Sequence, residues 1–316
     1  FVGTRSPTTR VVYAYVDMDG DNVAETEYII DSNLESPNGI AFLNGDLYVV
    51  TTTSVLRYDN IEDRLDNPPE PIIVYDNLPD NPQHGWRYAS FGADNRLYIA
   101  VGAPCNICEY NPDEFGLILS MTADGDDVQI EGRGVRNSVG FDFHPETQDL
   151  WFTDNGRDWV SDDLPPDELN RISDTDLNLC FPYCHGGFLV DIDFPQDNAC
   201  DGTQAPVYGF PAHVAPLGIA FYTGDSFPEP YHNQIFVAEH GSRNRTSPVG
   251  YQVSLITLDD NNEVIDYQTF IDGFLQGEFD YDAWGRPADV IIAPDGSLLI
   301  SDDLADAIYR VQYIGD

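Results

Sequence analysis

The fold is decided by a pattern first seen at residues 36–50, which read SPNGIAFLNGDLYVV. The segment GIAF is short and apolar, Asn44 and Gly45 follow it, and LYVV is a second apolar segment. Asn-Gly between two segments rich in β-branched and aromatic residues is typical of a tight turn joining two antiparallel strands. This stretch therefore predicts a β-hairpin.

The hairpin pattern recurs four more times along the chain. The further copies lie at residues 88–100, 138–153, 216–238 and 288–301. Radially stacked sheets of this kind form a β-propeller. Residues 1–16 resemble the second half of a sixth unit, so we predict an all-β, six-bladed β-propeller that forms a single domain over residues 1–316. Its first blade is expected to be incomplete on its N-terminal side. Two packed sheets of a β-sandwich would alternate in the same way and are the alternative.

The charge of the chain narrows the classes of partner. There are 55 acidic and 14 basic residues, no lysine, and a net charge of −41. Nucleic-acid binding is excluded because it needs a basic surface, and docking on an anionic membrane is disfavoured. No apolar run reaches the length of a membrane span. Hydrophobic residues make up 42% of the chain, which is ample for a folded core.

Five cysteines bear on the compartment, and they are Cys105, Cys108, Cys180, Cys184 and Cys200. The C-x-x-C pair at 105–108 is compatible with a redox dithiol, with half of a zinc site, or with a small disulfide loop. Disulfides are favoured because the acidic, loop-rich chain is typical of an exported protein. We expect the pairs Cys105–Cys108 and Cys184–Cys200, a free Cys180, and a periplasmic or secreted location.

Scarce cationic side chains gather where the inner strands begin or end. They and their polar neighbours are His84, Arg136, Asn137, Asn155, Gly156, Arg157, His213, His240, Arg243 and Arg286. Arginines that converge from several blades indicate a planar ligand with several negative charges, held by guanidinium groups. The alternative for each arginine is an ordinary ion pair with one of the many aspartates.

Longer motifs carry a resemblance to a known family. They read GVRNSVGFDFHPET at 134–147, LWFTDNGRD at 150–158, DELNRI at 167–172, FPYCHG at 181–186, PAHVAPLG at 211–218, FVAEHGS at 236–242 and WGRPADV at 284–290. In these motifs the chain resembles the soluble quinoprotein glucose/sorbosone dehydrogenase family, over nearly its whole length. The resemblance implies a six-bladed propeller that binds pyrroloquinoline quinone (PQQ) above a Ca²⁺ ion.

The resemblance also implies roles for single residues. His84 matches the general base, and Arg136 with Asn137 matches the pair beneath the quinone, where Arg136 stabilises the developing oxyanion. The backbone carbonyls of Gly156 and Arg157 match the Ca²⁺ ligands. The implied cofactor contacts are Asn155, Arg157, His213, His240, Arg243 and Arg286. Glucose enzymes of the family use a lysine near the His240 segment, and Arg243 or Arg245 would replace its charge here.

The implied activity is oxidation of an aldose or a related sugar or aldehyde by hydride transfer to the quinone. His84 would accept the hydroxyl proton, and an external electron acceptor would reoxidise the cofactor. For His84 the alternative is a partly buried histidine bonded to a turn carbonyl. Two other functions stay open on the same fold. One is a Ca²⁺-dependent lactonase, and the other is a non-catalytic propeller that binds a partner after losing its cofactor.

A second cation site is predicted in the acidic segment at residues 17–25. Asp17, Asp19, Asp21 and Glu25 alternate with other residues, and carboxylate oxygens suit the hard Ca²⁺ ion. The spacing differs from that of an EF-hand. An Asp-Gly turn between two strands explains the same residues without a metal.

Overall fold

The computed structural model describes residues 1–4, 10–21 and 23–315, which form strands and three short 3-10 helices. Contact density divides the chain into two compact units, residues 1–137 and 138–316. Each unit is built from consecutive antiparallel sheets. The single domain expected over 1–316 stays a prediction.

The first unit contains one hairpin, one four-stranded sheet and four further paired strands. Its strands are β1 (Val11–Val16), β2 (Thr26–Ser32), β3 (Gly39–Leu43), β4 (Asp46–Val50), β5 (Val55–Tyr58), β6 (Ile72–Tyr75), β7 (Ala89–Phe91), β8 (Arg96–Val101), β9 (Leu117–Thr122) and β10 (Gln129–Arg133). β1 pairs with β2, β3 to β6 pair in sequence order, and so do β7 to β10. A 3-10 helix, Ile61–Arg64, follows β5.

The second unit contains two four-stranded sheets, one three-stranded sheet and a short hairpin. Its strands are β11 (Gly140–Phe143), β12 (Leu150–Asp154), β13 (Asp167–Ile172), β14 (Leu177–Asn178), β15 (Cys184–His185), β16 (Leu189–Val190), β17 (Tyr208–Phe210), β18 (Pro216–Phe221), β19 (Ile235–Glu239), β20 (Gln252–Leu258), β21 (Val264–Ile271), β22 (Pro287–Ile292), β23 (Leu298–Asp302) and β24 (Ala307–Val311). The sheets are β11-β12-β13-β17, β18 to β21 and β22 to β24, and the hairpin is β15-β16. The other 3-10 helices are Glu229–Tyr231 and Asp280–Asp282.

All five hairpins predicted from the recurring pattern are confirmed. They are the pairs β3-β4, β7-β8, β11-β12, β18-β19 and β22-β23, each at one edge of its sheet. In the first of them, Leu43 lies opposite Asp46, so Asn44 and Gly45 form the two-residue turn as expected. The predicted sixth unit corresponds to the β1-β2 hairpin, with Val2 paired to Tyr13.

Sheets of the first unit pack face to face, and β4 explains how. Leu47 and Val49 point into a cluster with side chains of β1 and β2. Tyr48 and Val50 point the other way, into a cluster with β8 and β9. Side chains of a strand alternate between its two faces, so a strand between two sheets needs apolar residues at every position. Burial of each large apolar side chain contributes about 1.5–3 kcal/mol.

The second unit repeats this arrangement at β19. Ile235 and Val237 join a cluster with Trp151 and Leu169 of the preceding sheet. Phe236 joins a cluster with Val290 and other side chains of the following sheet. The two sheets that contain β4 and β19 therefore each lie between the preceding and the following sheet of their own unit, and these second strands are apolar on both faces. The ends of these strands, where packing stops, carry the polar residues described below.

The cysteine pairing expected from the sequence is confirmed. Disulfides join Cys105 to Cys108 and Cys184 to Cys200, and Cys180 is a buried free thiol. Burial raises the pKa of the Cys180 thiol, which keeps it protonated. Two disulfides are typical of a protein that folds outside the cytoplasm. Among the described residues no helix is long and apolar enough to cross a membrane.

Candidate functional site

His84 is the first predicted site residue, and it lies in the first unit in the loop between β6 and β7. Its side chain is buried, and its backbone has a φ of 49°, in the left-handed region. Its Nδ1 atom lies 2.8 Å from the carbonyl oxygen of Ala103. A carbonyl can only accept, so Nδ1 carries the proton and Nε2 presents its lone pair. The Gln83 amide nitrogen lies 3.3 Å from that Nε2.

Arg136 is brought next to His84 across one glycine. A Cβ placed on Gly102 would lie 2.5 Å from the Cβ of His84 and 3.3 Å from the carbonyl oxygen of Arg136. The Ala103 amide donates to that same carbonyl oxygen at 2.7 Å. Only a residue without a side chain lets the two segments approach this closely. The structure thus unites two residues that are 52 positions apart in the sequence.

The guanidinium of Arg136 is oriented by the small disulfide loop. Its Nε donates to the carbonyl oxygen of Asn106 at 3.0 Å, and its Nη2 donates to the Oδ1 atom of Asn106 at 2.8 Å. Asn106 lies between Cys105 and Cys108, so the disulfide closes the loop that holds the arginine. Asn137 is buried directly after Arg136. Sequence reasoning missed Asn106, although its place inside the C-x-x-C segment was a usable signal.

In the second unit, Asp167 joins the loop after β12 to the loop before β18. One carboxylate oxygen accepts from the Gly156 amide at 2.7 Å, and the other accepts from the Ala215 amide at 2.9 Å. Asn155 donates from its amide nitrogen to the carbonyl oxygen of Pro216 at 3.0 Å. Asp167, which is buried and was not predicted, therefore holds the segment that carries Asn155 and Gly156.

The Arg157 side chain forms a buried ion-pair cluster. Its guanidinium lies 2.7 Å from Asp191 and 2.8 Å from Asp193, and the Nε2 atom of His185 lies 2.8 Å from the same Asp191 oxygen. Burial alone would raise the pKa of Asp191, but the hydrogen bonds from Arg157 and His185 bring it below its ordinary value. The side chain of Arg157 thus anchors its loop and follows the ion-pair alternative.

The main chain of this loop fits a cation. Within residues 138–315 no hydrogen bond reaches the carbonyl oxygen of Gly156 or of Arg157, although Arg157 is buried. Buried carbonyl groups are nearly always satisfied, and Ca²⁺ is bound by carbonyl oxygens. Two neighbouring carbonyls that accept no hydrogen bond from the described residues of this unit are therefore compatible with the Ca²⁺ role that the sequence resemblance implies for these positions.

His240 and Arg286 meet at the ends of β19 and β22. The Nε of Arg286 donates to the carbonyl oxygen of His240 at 2.9 Å, and its Nη2 donates to the carbonyl oxygen of Gly241. The Nε2 atom of His240 lies 2.7 Å from the Asp303 carboxylate. The Arg286 amide donates to Asp302 at 2.8 Å. Two further predicted residues are thus brought together, by aspartates that the sequence did not single out.

The charge of Arg286 is poorly solvated. Burial lowers the pKa of its guanidinium, the Tyr251 ring partly opposes this shift, and the positive charge of Arg243 adds to it. The guanidinium carbon lies 5.2 Å from the centre of the Tyr251 ring, which gives it a cation-π contact. Arg243 is exposed, and its charge acts on Arg286. Two such cations would favour a bound anion.

His213 and Arg245 lie on loops that are tied to each other. His213 has a φ of 68°, and its Nε2 donates to the carbonyl oxygen of Ser161 at 2.9 Å. Arg245 donates to Asp163 at 2.9 Å and to the carbonyl oxygen of Ala212 at 3.1 Å. Arg245 therefore fixes loops, whereas Arg243 keeps an exposed side chain. Of the two arginines considered for the missing lysine, Arg243 is the exposed one.

The four acidic residues that the sequence predicts as a second cation site lie close together in the first unit. Carboxylate oxygens of Asp17, Asp19, Asp21 and Glu25 lie within 4.8 Å of one another, and all four residues are exposed. Each carboxylate also accepts a main-chain amide within the segment, as in the 2.7 Å contacts from Gly20 to Asp17 and from Met18 to Glu25. The four predicted ligands thus share one loop.

Two partly buried aspartates of the second unit were not predicted at all. Burial raises the pKa of Asp142 to about 6 and that of Asp289 to about 7. Asp142 accepts the Phe221 amide at 2.7 Å, and Asp289 packs against Gly218. The charge of Asp142 further raises the pKa of Asp289. They lie on β11 and β22, inside two of the hairpins that the recurring pattern predicted.

Comparisons with known proteins agree with this architecture. A protein-family model described as TrAA12-like matches residues 187–313. A Borreliella burgdorferi protein, described only as uncharacterized, is 36% identical over 298 residues, which are 90% of this chain and 78% of that protein.

Solved structures share the fold at lower identity. The PQQ domain of pyranose dehydrogenase from Coprinopsis cinerea, in its holo form, is 15% identical with a TM-score of 0.79, covering 99% of this chain and 91% of that chain. A calcium structure of a Trichoderma reesei member of carbohydrate-active enzymes family AA12 is 19% identical with a TM-score of 0.76, covering 96% and 86%. A PQQ-bound aldose sugar dehydrogenase from Streptomyces coelicolor is 20% identical with a TM-score of 0.64, covering 97% and 88%.

These likenesses confirm the predicted fold class, an all-β propeller. Five blades are recognised among the described residues, and the structures that the chain resembles are six-bladed sugar dehydrogenase propellers. Among these solved structures, the one from Coprinopsis cinerea is the holo form of a PQQ domain, the one from Streptomyces coelicolor is a PQQ-bound form, and the one from Trichoderma reesei is a calcium structure. In this chain, the predicted site residues fall into one group around His84 and Arg136 and a second group around Gly156, His240 and Arg286.

Proposed function

Because the chain belongs to the same family as the Borreliella burgdorferi protein, and because it has the propeller fold of PQQ-binding sugar dehydrogenases, we propose that it is a quinoprotein sugar dehydrogenase. Its reaction would be oxidation of an aldose, or of a related sugar or aldehyde, by hydride transfer to PQQ with Ca²⁺. The observation that carries the proposal is the environment of His84. This buried histidine donates from Nδ1 to the carbonyl oxygen of Ala103, and only Gly102 separates its Cβ from the main-chain carbonyl oxygen of Arg136.

His84 would act as the general base. With its proton fixed on Nδ1, the ring offers the lone pair of Nε2 to a substrate hydroxyl. Its left-handed backbone costs free energy, and such strain persists where the surroundings impose it, commonly at functional sites. Arg136, held by Asn106, would stabilise the oxyanion that develops as the hydride is transferred.

The residues of the second unit would hold the cofactors. The carbonyl oxygens of Gly156 and Arg157 would bind Ca²⁺, and Asp167 and Asp191 keep that loop in place. The quinone contacts of this unit would come from Asn155, His213, His240, Arg243 and Arg286. When bound, PQQ supplies a two-electron acceptor for the hydride, and Ca²⁺ supplies a Lewis acid. An external electron acceptor would then be needed to restore the oxidised state.

Reconstitution tests this function. Purified protein is mixed with PQQ and Ca²⁺, desalted, and assayed with an electron-accepting dye and a panel of aldoses. Retained quinone absorbance together with sugar-dependent dye reduction is the expected result. Failure to retain the quinone and to reduce the dye would contradict the dehydrogenase. Hydrolysis of sugar lactones with Ca²⁺ alone would instead favour the lactonase, and an inactive protein that binds neither would favour the non-catalytic propeller.

The acidic loop would bind a second Ca²⁺ through Asp17, Asp19, Asp21 and Glu25. Calcium titration by calorimetry should show a site that is lost in Asp19→Asn, and the Gly156 loop keeps its own site in that variant. Asp259→Asn is the matched control, because Asp259 also accepts amides within an exposed acidic turn. Equal loss of Ca²⁺ binding in the Asp259→Asn control would contradict this site, and the acidic loop would then be a solvated turn. A periplasmic or secreted location completes the proposal.

A further inference from the structure

Two loops of the second unit expose aromatic rings beside the candidate cofactor residues. Trp159 is 73% exposed and follows Arg157 by two positions. Tyr281 is 75% exposed and Phe279 is 50% exposed, on the loop that leads into Arg286. Large aromatic side chains on a soluble protein bury ring faces wherever they can. Exposed rings at both edges of a candidate site therefore need an explanation.

The loop that carries Tyr281 is held in shape from its base to its tip. At the base, Leu275 pairs with Ala283, and the rings of Phe274 and Trp284 stack with centroids 5.3 Å apart. At the tip, the rings of Phe279 and Tyr281 lie 5.1 Å apart and within 10° of parallel. The Phe279 amide donates to Asp282 at 3.1 Å. The tip presents its rings in a fixed arrangement, which lowers the entropy cost of binding.

Trp159 is fixed in a comparable way. Its backbone has a φ of 66°, a conformation that bulky residues rarely adopt and that here turns the indole into solvent. The preceding residue, Asp158, accepts a hydrogen bond from the Asn244 amide nitrogen at 2.6 Å. Asp163, further along the same loop, is ion-paired with Arg245. The segment at 158–163 is thus tied to the segment at 242–247.

Hydrogen bonds of the second unit connect the two aromatic loops to one region. Asp167 accepts from the amides of Gly156 and Ala215, which ties the segment that leads to Trp159 to the loop before β18. The Ala215 carbonyl oxygen accepts from the His240 amide at 2.9 Å, and the His240 carbonyl oxygen accepts from Arg286, the residue that the Tyr281 loop leads into. Both loops therefore adjoin the His240 and Arg286 region, where the proposed cofactor contacts lie. A ligand that packs on these rings would therefore also lie next to the proposed cofactor contacts.

Carboxylate and amide groups surround the rings. Asp158 and Asn244 adjoin Trp159, and Asp280 and Asp282 flank Tyr281. A saccharide presents C–H faces that pack on aromatic rings and hydroxyl groups that donate to carboxylates. An anionic polymer would meet these carboxylates and a chain of net charge −41. The chemistry around the rings fits a neutral carbohydrate.

We propose that Trp159 and the Phe279–Tyr281 pair are outer subsites for a neutral oligosaccharide, which binds beside the cofactor contacts proposed for the second unit. Resting on the dehydrogenase proposal, this inference names the substrate class as the oxidisable end of a glycan chain. A glycan chain presents more C–H faces to such rings than a monosaccharide does. The chain would gain affinity from each ring that it covers.

Binding without the quinone tests the subsites. Calorimetry on the full chain compares glucose with cellotetraose, maltotetraose and laminaritetraose. At least one tetrasaccharide should bind about tenfold more tightly than glucose. Trp159→Ala and Tyr281→Ala should each weaken that binding about three- to tenfold, and Trp159→Phe should restore most of it. Tyr313→Ala, which removes another half-exposed ring, is the matched control and should bind as the parent does.

Three results would overturn the proposal. One is equal affinity for glucose and for every tetrasaccharide, and another is unchanged affinity in both alanine variants. The third is a parent dimer, seen by sedimentation, that dissociates in Trp159→Ala or Tyr281→Ala, because the rings would then belong to a contact between copies. Since binding is measured without PQQ, tetrasaccharide binding by a protein that never reduces dye would contradict the dehydrogenase alone.

Discussion

The Nδ1 atom of His84 donates a hydrogen bond to the carbonyl oxygen of Ala103, 2.8 Å away. This contact fixes the tautomer, because a carbonyl cannot donate. A ring held this way keeps its basic nitrogen on the opposite edge. A general base uses the basic nitrogen on that edge to accept a substrate proton, whereas a structural histidine does not.

Replacement of His84 separates the two roles. His84→Ala should lower sugar-dependent dye reduction by about 10²–10⁴-fold, the usual contribution of a general base, and PQQ should still bind. Steady-state kinetics and quinone absorbance measure both quantities. His232→Ala removes an exposed histidine and serves as the control. Unchanged turnover in His84→Ala would leave His84 as a structural histidine.

Gly102 should be the most sensitive glycine for activity. Gly102→Ala places a methyl group 2.5 Å from the Cβ of His84, and a Cβ cannot rotate away. We expect turnover to fall at least about tenfold and the unfolding free energy to fall by about 1–3 kcal/mol. Gly209→Ala is the matched control, since its nearest contact is 3.4 Å away. Thermal unfolding of both variants, with kinetics, checks the result, and equal behaviour of the two would contradict it.

The two disulfides should differ in their effect on stability. Cys184 and Cys200 close a loop of 16 residues, and Cys105 and Cys108 are separated by three. Loop entropy assigns about 3 kcal/mol to the longer loop and less to the shorter one. Cys184→Ala with Cys200→Ala should therefore lower the midpoint of denaturant unfolding more than Cys105→Ala with Cys108→Ala does. The shorter disulfide should matter more for activity, because its loop carries Asn106 and thereby orients Arg136.

The pH dependence of stability should reflect Asp289. Burial raises its folded pKa to about 7, above the ordinary aspartate value of 3.8. The folded state then binds more protons than the unfolded state between about pH 4 and pH 7, so this group's contribution to stability falls as pH rises through that window. Each pKa unit is worth about 1.4 kcal/mol.

Asp289→Asn removes that titration. The variant should lose less stability than the parent between pH 4 and pH 7, and it should gain relative to the parent above pH 7. Denaturant unfolding across that range measures the difference. Asp295→Asn is the control, because hydrogen bonds from Ser297 lower the pKa of that exposed carboxyl rather than raise it. A parallel pH profile for parent and Asp289→Asn would contradict the buried titration.

Much of the fold could be predicted from the sequence because the signals for hairpins lie within short segments of the chain. A hairpin requires a turn residue pair such as Asn44 and Gly45, flanked by segments with period-two alternation. Such a unit spans some fifteen residues and repeats, so five hairpins were predicted and found. The expected cysteine pairing was also found.

The hydrogen-bond and ion-pair partners of the candidate site residues were harder to predict from the sequence. Arg136 is bound by Asn106, 30 positions earlier, and Arg157 by Asp191, 34 positions later. With so many acidic residues in the chain, no local pattern marks which one an arginine contacts. The close approach of His84 to Arg136 likewise depends on Gly102, whose absent side chain has no signature in a single sequence.

By itself, the sequence determined that this protein is an all-β propeller and which types of side chain stand at the strand ends, because alternation and turn chemistry act between neighbours in the chain. Tertiary structure alone decided the tautomer of His84, the anchoring of Arg136, Arg157 and Arg286, and the raised pKa of Asp289. Those properties depend on distances and burial between segments far apart in the sequence. The sequence specifies the type of each side chain, but the environment of that side chain is set only when the sheets pack.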